Sequence, residues 1–580
     1  MASSSPILDQ SLWEAGQHSG LHRRNLRRTS GRLAGESTES SLRRAWLTLQ
    51  VHADAFWSAP LDYLQGVAWR ARGLRLRSRN RFAALAGRSP HAYALWIARE
   101  EWKTRANQPD AVPLGTLPIL PVIDCRGSYA NIERTIASLS EAAGQVQPIL
   151  IGGPVTARTI RLEDPRQLST LIKEPEAWLC ILRPGDRLAA DAFSVYARAA
   201  ARDPEAWLIY SDDDLIGPFD ERCAPHFKPC WNPDLFEHHD FISGASIVRV
   251  DRSAFAELTA TGWREELVQQ ALARGIAPMH IPCVLHHRSD RPKPSVPAKP
   301  SRTATDPIRS VTAIIPTRNK VDLLQKCIEG LDRTDYPKLE VIVIDNGSDD
   351  PDALAYFADL AGKGITVLHM PGAFNYSALN NDAVREATGE FLCFLNNDIE
   401  VIDPDWLSLL VRQAVRPDLG AVGARLLYPD GTVQHAGVVT GVGGGAGHAH
   451  KFQAADDPAY FDRARLPQRV SAVTGACLVV ERAKFLAVGG FDQEDFPVAF
   501  NDVDLCLKLN ARGWQSFYDP RATLIHHESK SRGSDKAKPN RERFAAELAA
   551  LKRKWDTDKR RDPYHHPHLS PFTEQFLISI

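Results

Sequence analysis

Two acidic positions and one histidine have the types and surroundings needed to handle a phosphorylated ligand. Asp398 follows the apolar run Phe391-Leu-Cys-Phe-Leu395 and is preceded by Asn396 and Asn397. A carboxylate ending a buried strand between amides is a hard-oxygen site, suited to Mg2+ or Mn2+ holding a diphosphate. Asn501-Asp502-Val-Asp504 opens an amphipathic stretch. Asp502 is there the candidate general base, while an acid in a first helical turn, such as Asp504, is commonly a dipole partner. His526 and His527 end an apolar run and offer an imidazole ligand, with Lys530 and Arg532 beyond them as cations for phosphate.

These groups need a scaffold, and the preceding residues supply one. Val311-Thr-Ala-Ile-Ile-Pro316-Thr317 reads as a strand, Leu324, Cys327, Ile328 and Leu331 as the buried stripe of a helix, and Glu340–Asp345 as a second strand. Strand, crossover helix and parallel strand form a βαβ unit, which binds ligands at the carboxyl ends of its strands. Asp345, Asn346 and Ser348 fall on that edge, where a base and ribose would sit; Ser348 equally suits a helix cap. Gly441–Gly447 formally contains GxGxxA, but His448-Ala-His450-Lys follows instead of an apolar helix. A glycine loop fits better than a dinucleotide fingerprint.

The chain has 580 residues, 70 Lys+Arg against 71 Asp+Glu, and 43% hydrophobic residues, an ordinary globular composition. Neutral net charge argues against nucleic acid as a partner. Nine scattered cysteines without a CxxC pair fit a reducing compartment, and neither a secretory signal nor an apolar run of about 20 residues is visible. The expected location is cytoplasmic. Residues 1–90 nevertheless carry 14 Arg, no Lys and 6 acids, interleaved with Trp46, Leu47, Leu49, Phe56, Trp57, Leu61 and Leu64. One reading is peripheral contact with the inner membrane face; the other is a solvated helical region behind a disordered start.

Composition breaks divide the chain into five parts. A basic, partly disordered and helical region covers 1–110, an α/β domain 111–290, a proline-rich linker 291–308, a second α/β domain 309–535, and a helical tail 536–580. The two domains resemble each other. Trp178–Asp186 parallels Phe391–Asp398, and His286-His287 parallels His526-His527. A repeat this long indicates a duplicated fold, not a solenoid.

The ordered motifs VTAIIPTRN, VIVIDNGSDD, FNYSALNNDAVREATGEFLCFLNNDIEV, QHAGVV with GHAH, SAVTGACLVV, VGGFDQEDF, FNDVDLCLKL and HHESKSRG resemble the family-two glycosyltransferases, in the rhamnosyltransferase-like branch of bacterial surface polysaccharide (O-antigen) synthesis. The resemblance spans 309–533. It implies a GT-A fold, a nucleoside-diphosphate sugar donor, a saccharide or lipid-linked acceptor, a Mg2+ or Mn2+ ion and inversion at the anomeric carbon. Position by position, Pro316, Thr317, Asn319, Asp345, Asn346, Ser348, Asn380, Asn381, Asn396 and Asn397 would line the donor pocket. Asp398 stands at the Asp-x-Asp position as a metal ligand, His526 completes the metal site, and Asp502 is the base.

The first domain resembles the family through LRPGDRL, LIYSDDDLI, FKPCWNPDLF and CVLHHR. It offers Asp186 in place of the metal motif and only Glu265-Glu266 near the expected base, so it reads as a degenerate copy for docking or acceptor positioning. Paired acids would also suit a glycoside hydrolase, which needs no nucleotide-binding βαβ unit. A non-catalytic nucleotide-sugar or carbohydrate-binding module is the alternative of another class.

Overall fold

The computed structural model describes residues 38–101, 117–143, 146–154, 158–300, 308–528 and 538–580. The arginines at 23–28, the turn-rich break at 107–115, and Lys530 with Arg532 lie outside the described residues.

Every residue of the strand Val311–Thr317 is buried, the pattern of a strand covered on both faces. It belongs to a ten-stranded sheet whose main path runs Thr366–His369, Leu339–Asp345, Val311–Thr317, Phe391–Leu395, Cys477–Glu481, Leu419–Leu427, Gln515–His526, Ile399–Val401. The first four strands are mutually parallel; the next pairings are antiparallel, antiparallel, parallel and antiparallel. The crossover helix Val321–Asp332 buries Leu324, Cys327, Ile328 and Leu331 against the sheet, as its spacing predicts.

A nine-stranded sheet repeats this path as Ile160–Leu162, Ile149–Ile151, Ile119–Asp124, Glu176–Leu182, Ser246–Asp251, Leu208–Ile216, Met279–Arg288, Arg187–Leu188. Its pairings have the same directions in the same order. The fold is therefore α/β with a duplicated sheet.

The two halves are clamped together by polar contacts. Asp234 receives Arg416 at 2.5 Å and Arg469 at 2.8 Å, and Asn232 donates to the Arg469 carbonyl at 2.9 Å. The tail differs from its expectation: it is helical only over Lys538–Trp555. Pro563, Pro567 and Pro571 follow at four-residue spacing and remove backbone donors, so the rest runs as an irregular strap. That strap touches both halves, through the Cys230 amide on the Pro563 carbonyl and Arg463 on the Tyr564 carbonyl.

At the other end, the helices Thr38–Ser58, Pro60–Ala71 and Arg75–Ala86 pack on one another. Leu47, Val51 and Ala55 form the buried stripe of the first helix. Leu42, Trp46, Leu49 and Trp57 lie on its opposite face and are all more than half exposed.

Candidate active site

The carboxyl edge of the ten-stranded sheet collects the residues singled out above. Thr317 and Asp345 end adjacent parallel strands, paired Thr317 to Asp345 in register. Asp345 accepts from the Ser348 amide at 2.8 Å and faces His369 Nδ1 at 3.1 Å. Ser348 in turn accepts from the Asn319 amide at 2.9 Å. Asn319 has φ 55°, and its side-chain oxygen accepts from the amides of Asp349 and Asp350, so it clips the loop after the strand. Asn346 donates to the Met370 carbonyl at 2.8 Å. Pro316 is the buried penultimate residue of its strand.

Asn397 donates to Thr317 Oγ1 at 2.8 Å, which joins this edge to the next strand end. Asp398 follows, 4% exposed. Register then does what sequence distance hides: Ile399 pairs with His526, and the His527 amide donates to the Asp398 carbonyl at 3.0 Å. His526 Nε2 consequently lies 3.0 Å from Asp398 Oδ1 and 3.3 Å from Asn396 Nδ2. His527 turns the other way, onto Glu400 at 2.8 Å. Of the two histidines, His526 alone faces Asp398.

The tautomer of His526 follows from its neighbours. Gln434 Nε2 donates to the Glu528 carboxylate at 3.1 Å, leaving Gln434 Oε1 to accept from His526 Nδ1 at 2.7 Å. A carboxylate accepts only, which fixes the amide orientation. With its proton on Nδ1, His526 Nε2 is left facing Asn396 Nδ2 and Asp398 Oδ1, and one imidazole and one carboxylate at this spacing could hold a hard divalent ion. Gln434 in QHAGVV and Glu528 in HHE orient His526, a role that only the fold brings together.

Asp502 reaches the same edge through Gly475. The strand Phe391–Leu395 pairs with Cys477–Glu481, and the Asn396 amide donates to the Ala476 carbonyl at 3.0 Å. The Gly475 amide donates to Asp502 at 2.8 Å, and the Val503 amide does so at 2.8 Å. Burial raises the Asp502 pKa above the ordinary carboxylate value, with those amides opposing it. The helix N-terminus favours the ionised form, and desolvation pushes the other way.

Asn380 and Asn381 do not join this edge. Both lie on the helix Tyr376–Glu386. Asn380 is fully buried and donates to the Tyr376 carbonyl at 2.7 Å. Asn381 uses both ends of its amide on the backbone of Phe491, at 2.8 and 2.9 Å. They hold the site's walls.

Among the described residues one cluster of three potential metal ligands occurs, Asp212 and His280 from the first half and His566 from the C-terminal strap. The His568 amide donates to His566 Nδ1 at 3.0 Å, and His566 Nε2 lies 2.8 Å from Asp212. His280 Nε2 lies 2.9 Å from the other carboxylate oxygen, so the three side chains bring strap and sheet together around one carboxylate and could hold a cation.

Residues 312–474 match the family described as Glycosyl transferase family 2. The chain is 38% identical over 450 residues to the uncharacterized protein y4gI of Sinorhizobium fredii, covering 70% of this chain and 49% of the relative. It is 35% identical over 431 residues to the O-antigen biosynthesis protein RfbC of Myxococcus xanthus, covering 66% and 33%. A 68-residue stretch is 44% identical to the N-acetylglucosaminyl-diphospho-decaprenol L-rhamnosyltransferase of Mycobacterium tuberculosis, covering 12% and 22%. The chain thus spans about half the length of the first of these relatives and a third of the second.

Proposed function

We propose that the chain is a cation-dependent, inverting hexosyltransferase of cell-surface polysaccharide synthesis. It would move a sugar from a nucleoside-diphosphate sugar to a saccharide or lipid-linked saccharide. The 3.0 Å approach of His526 Nε2 to Asp398 Oδ1, with the His526 proton on Nδ1, carries the reading. A Mg2+ or Mn2+ ion held by Asp398 and His526 would neutralise the donor's diphosphate. Asp345, Asn346 and Ser348 would shape the nucleotide end of the pocket, with Asn319 positioning that loop. Asp502 would take the acceptor hydroxyl's proton on the face opposite the leaving group. The names of the O-antigen and rhamnosyltransferase relatives support the polysaccharide setting and a diphospholipid acceptor.

The division at 110, 290, 308 and 535 is part of the proposal, with the first half carrying no sugar-transfer chemistry of its own. The solvent-facing Trp46, Leu49 and Trp57, with exposed Arg70, Arg72, Arg75 and Arg77 on the next helices, support peripheral binding to the inner, anionic face of a membrane from the cytoplasm. No helix among the described residues is long and apolar enough to cross one.

A panel of nucleotide sugars, screened by mass spectrometry for transfer or hydrolysis with and without chelator, tests the reading. Turnover with one donor, lost in EDTA and restored by Mn2+, is expected. Donor binding without any turnover across acceptors would favour the non-catalytic module instead.

A further inference from the structure

The first half keeps the architecture of the site and changes its chemistry. Its strand ends at Leu182 and before Ser246 occupy the places that Leu395 and the residue before Cys477 hold in the second. His287, paired with Arg187 after Asp186, takes the place of His526, paired with Ile399 after Asp398, and Arg288 is the next residue along. Around them lies a shallow cleft of about 30 Å3, open to solvent, lined by Arg183, Arg264 and Arg288 together with Asp186, Asp240 and Glu265.

Asp186, the counterpart of Asp398, is closed to a cation. Its carboxylate accepts from the Ser289 amide at 2.8 Å, the Ser289 hydroxyl at 2.9 Å and the Arg183 amide at 2.9 Å. Arg264 is the second residue of the helix Trp263–Leu272, as Asp502 is of Asn501–Ala511. An arginine thus stands at the place of the base.

The arginines are also under-neutralised. Arg288 is 3% exposed, lies 3.7 Å from Asp213, and leaves its Nε without a hydrogen-bond partner. The nearest carboxylates to Arg264 are Asp124 at 3.6 Å and Glu265 at 3.9 Å, and its Nε is likewise unbonded. Burial, then the Arg183 guanidinium, lowers the Arg264 pKa, as expected for cations gathered in one place. Ser243 Oγ, buried in the same wall, has no partner. Gly244 has φ +84°, and a Cβ there would fall 2.8 Å from Arg288 Nη2, so close backbone approach is built in. Converging guanidiniums with unused donors in a concave, partly desolvated wall match an oxyanion with several acceptor atoms.

We propose that this cleft binds a diphosphate through arginines and without a metal ion, and performs no chemistry on it. The diphosphate belongs to a nucleoside diphosphate or to a prenyl-diphosphate-linked saccharide. That choice of sources rests on the sugar-transfer reading above, whereas the anion site does not.

Calorimetry of the full chain with inorganic pyrophosphate in EDTA tests it, since a cation-dependent site is silent there. Wild type and Asp398→Ala should bind equally. The double variant Arg183→Gln/Arg264→Gln, at two half-buried positions, should bind at least about tenfold more weakly with an unchanged melting temperature. No binding by wild type in EDTA, equal binding by the double variant, or loss of binding in Asp398→Ala would each overturn the proposal. UDP and geranyl diphosphate titrated in the same buffer separate the two sources by which binds more tightly. If neither exceeds inorganic phosphate, the diphosphate assignment is wrong. These outcomes are independent of turnover, so failure here and failure of the sugar-transfer reading are distinguishable.

Discussion

Asp504 accepts a hydrogen bond from the Trp555 indole at 2.8 Å and lies 2.8 Å from Lys554 Nζ, both on the helix Lys538–Trp555. The two acids of Asn501-Asp502-Val-Asp504 are thereby divided: Asp504, fully buried, anchors the C-terminal helix, while Asp502 stays on Gly475 at the strand edge. Residues i and i+2 of a helix do not share a face.

Asp502→Asn is expected to lower kcat by about 10²–10⁴ with donor affinity nearly unchanged, because only the base is removed. Asp504→Asn should instead lower the melting temperature and leave kcat per folded molecule close to wild type. Steady-state kinetics beside thermal denaturation separates the two. Wild-type kcat in the Asp502 variant would place the base elsewhere.

The raised pKa of Asp502 has a kinetic signature. A base works ionised, so activity falls as pH drops through its folded pKa. The acid limb of kcat/KM should therefore lie above the ordinary carboxylate range, and Asp502→Asn should flatten it. A limb unmoved by that substitution contradicts the assignment.

Stability should depend heavily on Asp213 in the first half. It is 1% exposed and holds Lys228 at 2.8 Å and Arg291 at 3.2 Å. Burial opposes its ionisation, but Lys228, Arg291 and Arg288 outweigh that and keep its pKa below the usual value. Stability from such a group is present above the unfolded carboxylate pKa and is lost as pH falls through the depressed folded one. Asp213→Asn leaves Lys228 buried without its counter-ion and should cost about 3–5 kcal/mol in urea unfolding at neutral pH. A loss below about 1 kcal/mol would mean that Lys228 finds another partner.

The exposed apolar stripe of Thr38–Ser58 predicts sedimentation with phosphatidylglycerol vesicles and not with phosphatidylcholine vesicles. Trp46→Ser/Trp57→Ser should weaken it several-fold, and salt should weaken it further, since each basic residue contributes about 1 kcal/mol at an anionic surface. Concentration-dependent dimerisation lost in the same variant, with no vesicle binding, would make the stripe a contact between copies.

Periodicity and motif order alone pointed to two related α/β halves, to a βαβ edge formed by Val311–Thr317 and Leu339–Asp345, and to Asp398, Asp502 and the pair His526-His527 as candidate polar residues. Those signals are local: apolar spacing reports burial within an element, and a carboxylate after a buried strand reports an edge. The tertiary structure decided that His526 and not His527 meets Asp398, because strand register sets which of two adjacent side chains faces a given side. It decided that Asn381 clamps Phe491, that Asp504 belongs to the C-terminal helix, and that Asp186 is consumed by Ser289. Each of these depends on a partner far away along the chain. A residue's neighbours in space set its hydrogen bonds and desolvation, and those set which proton, cation or phosphate it can hold.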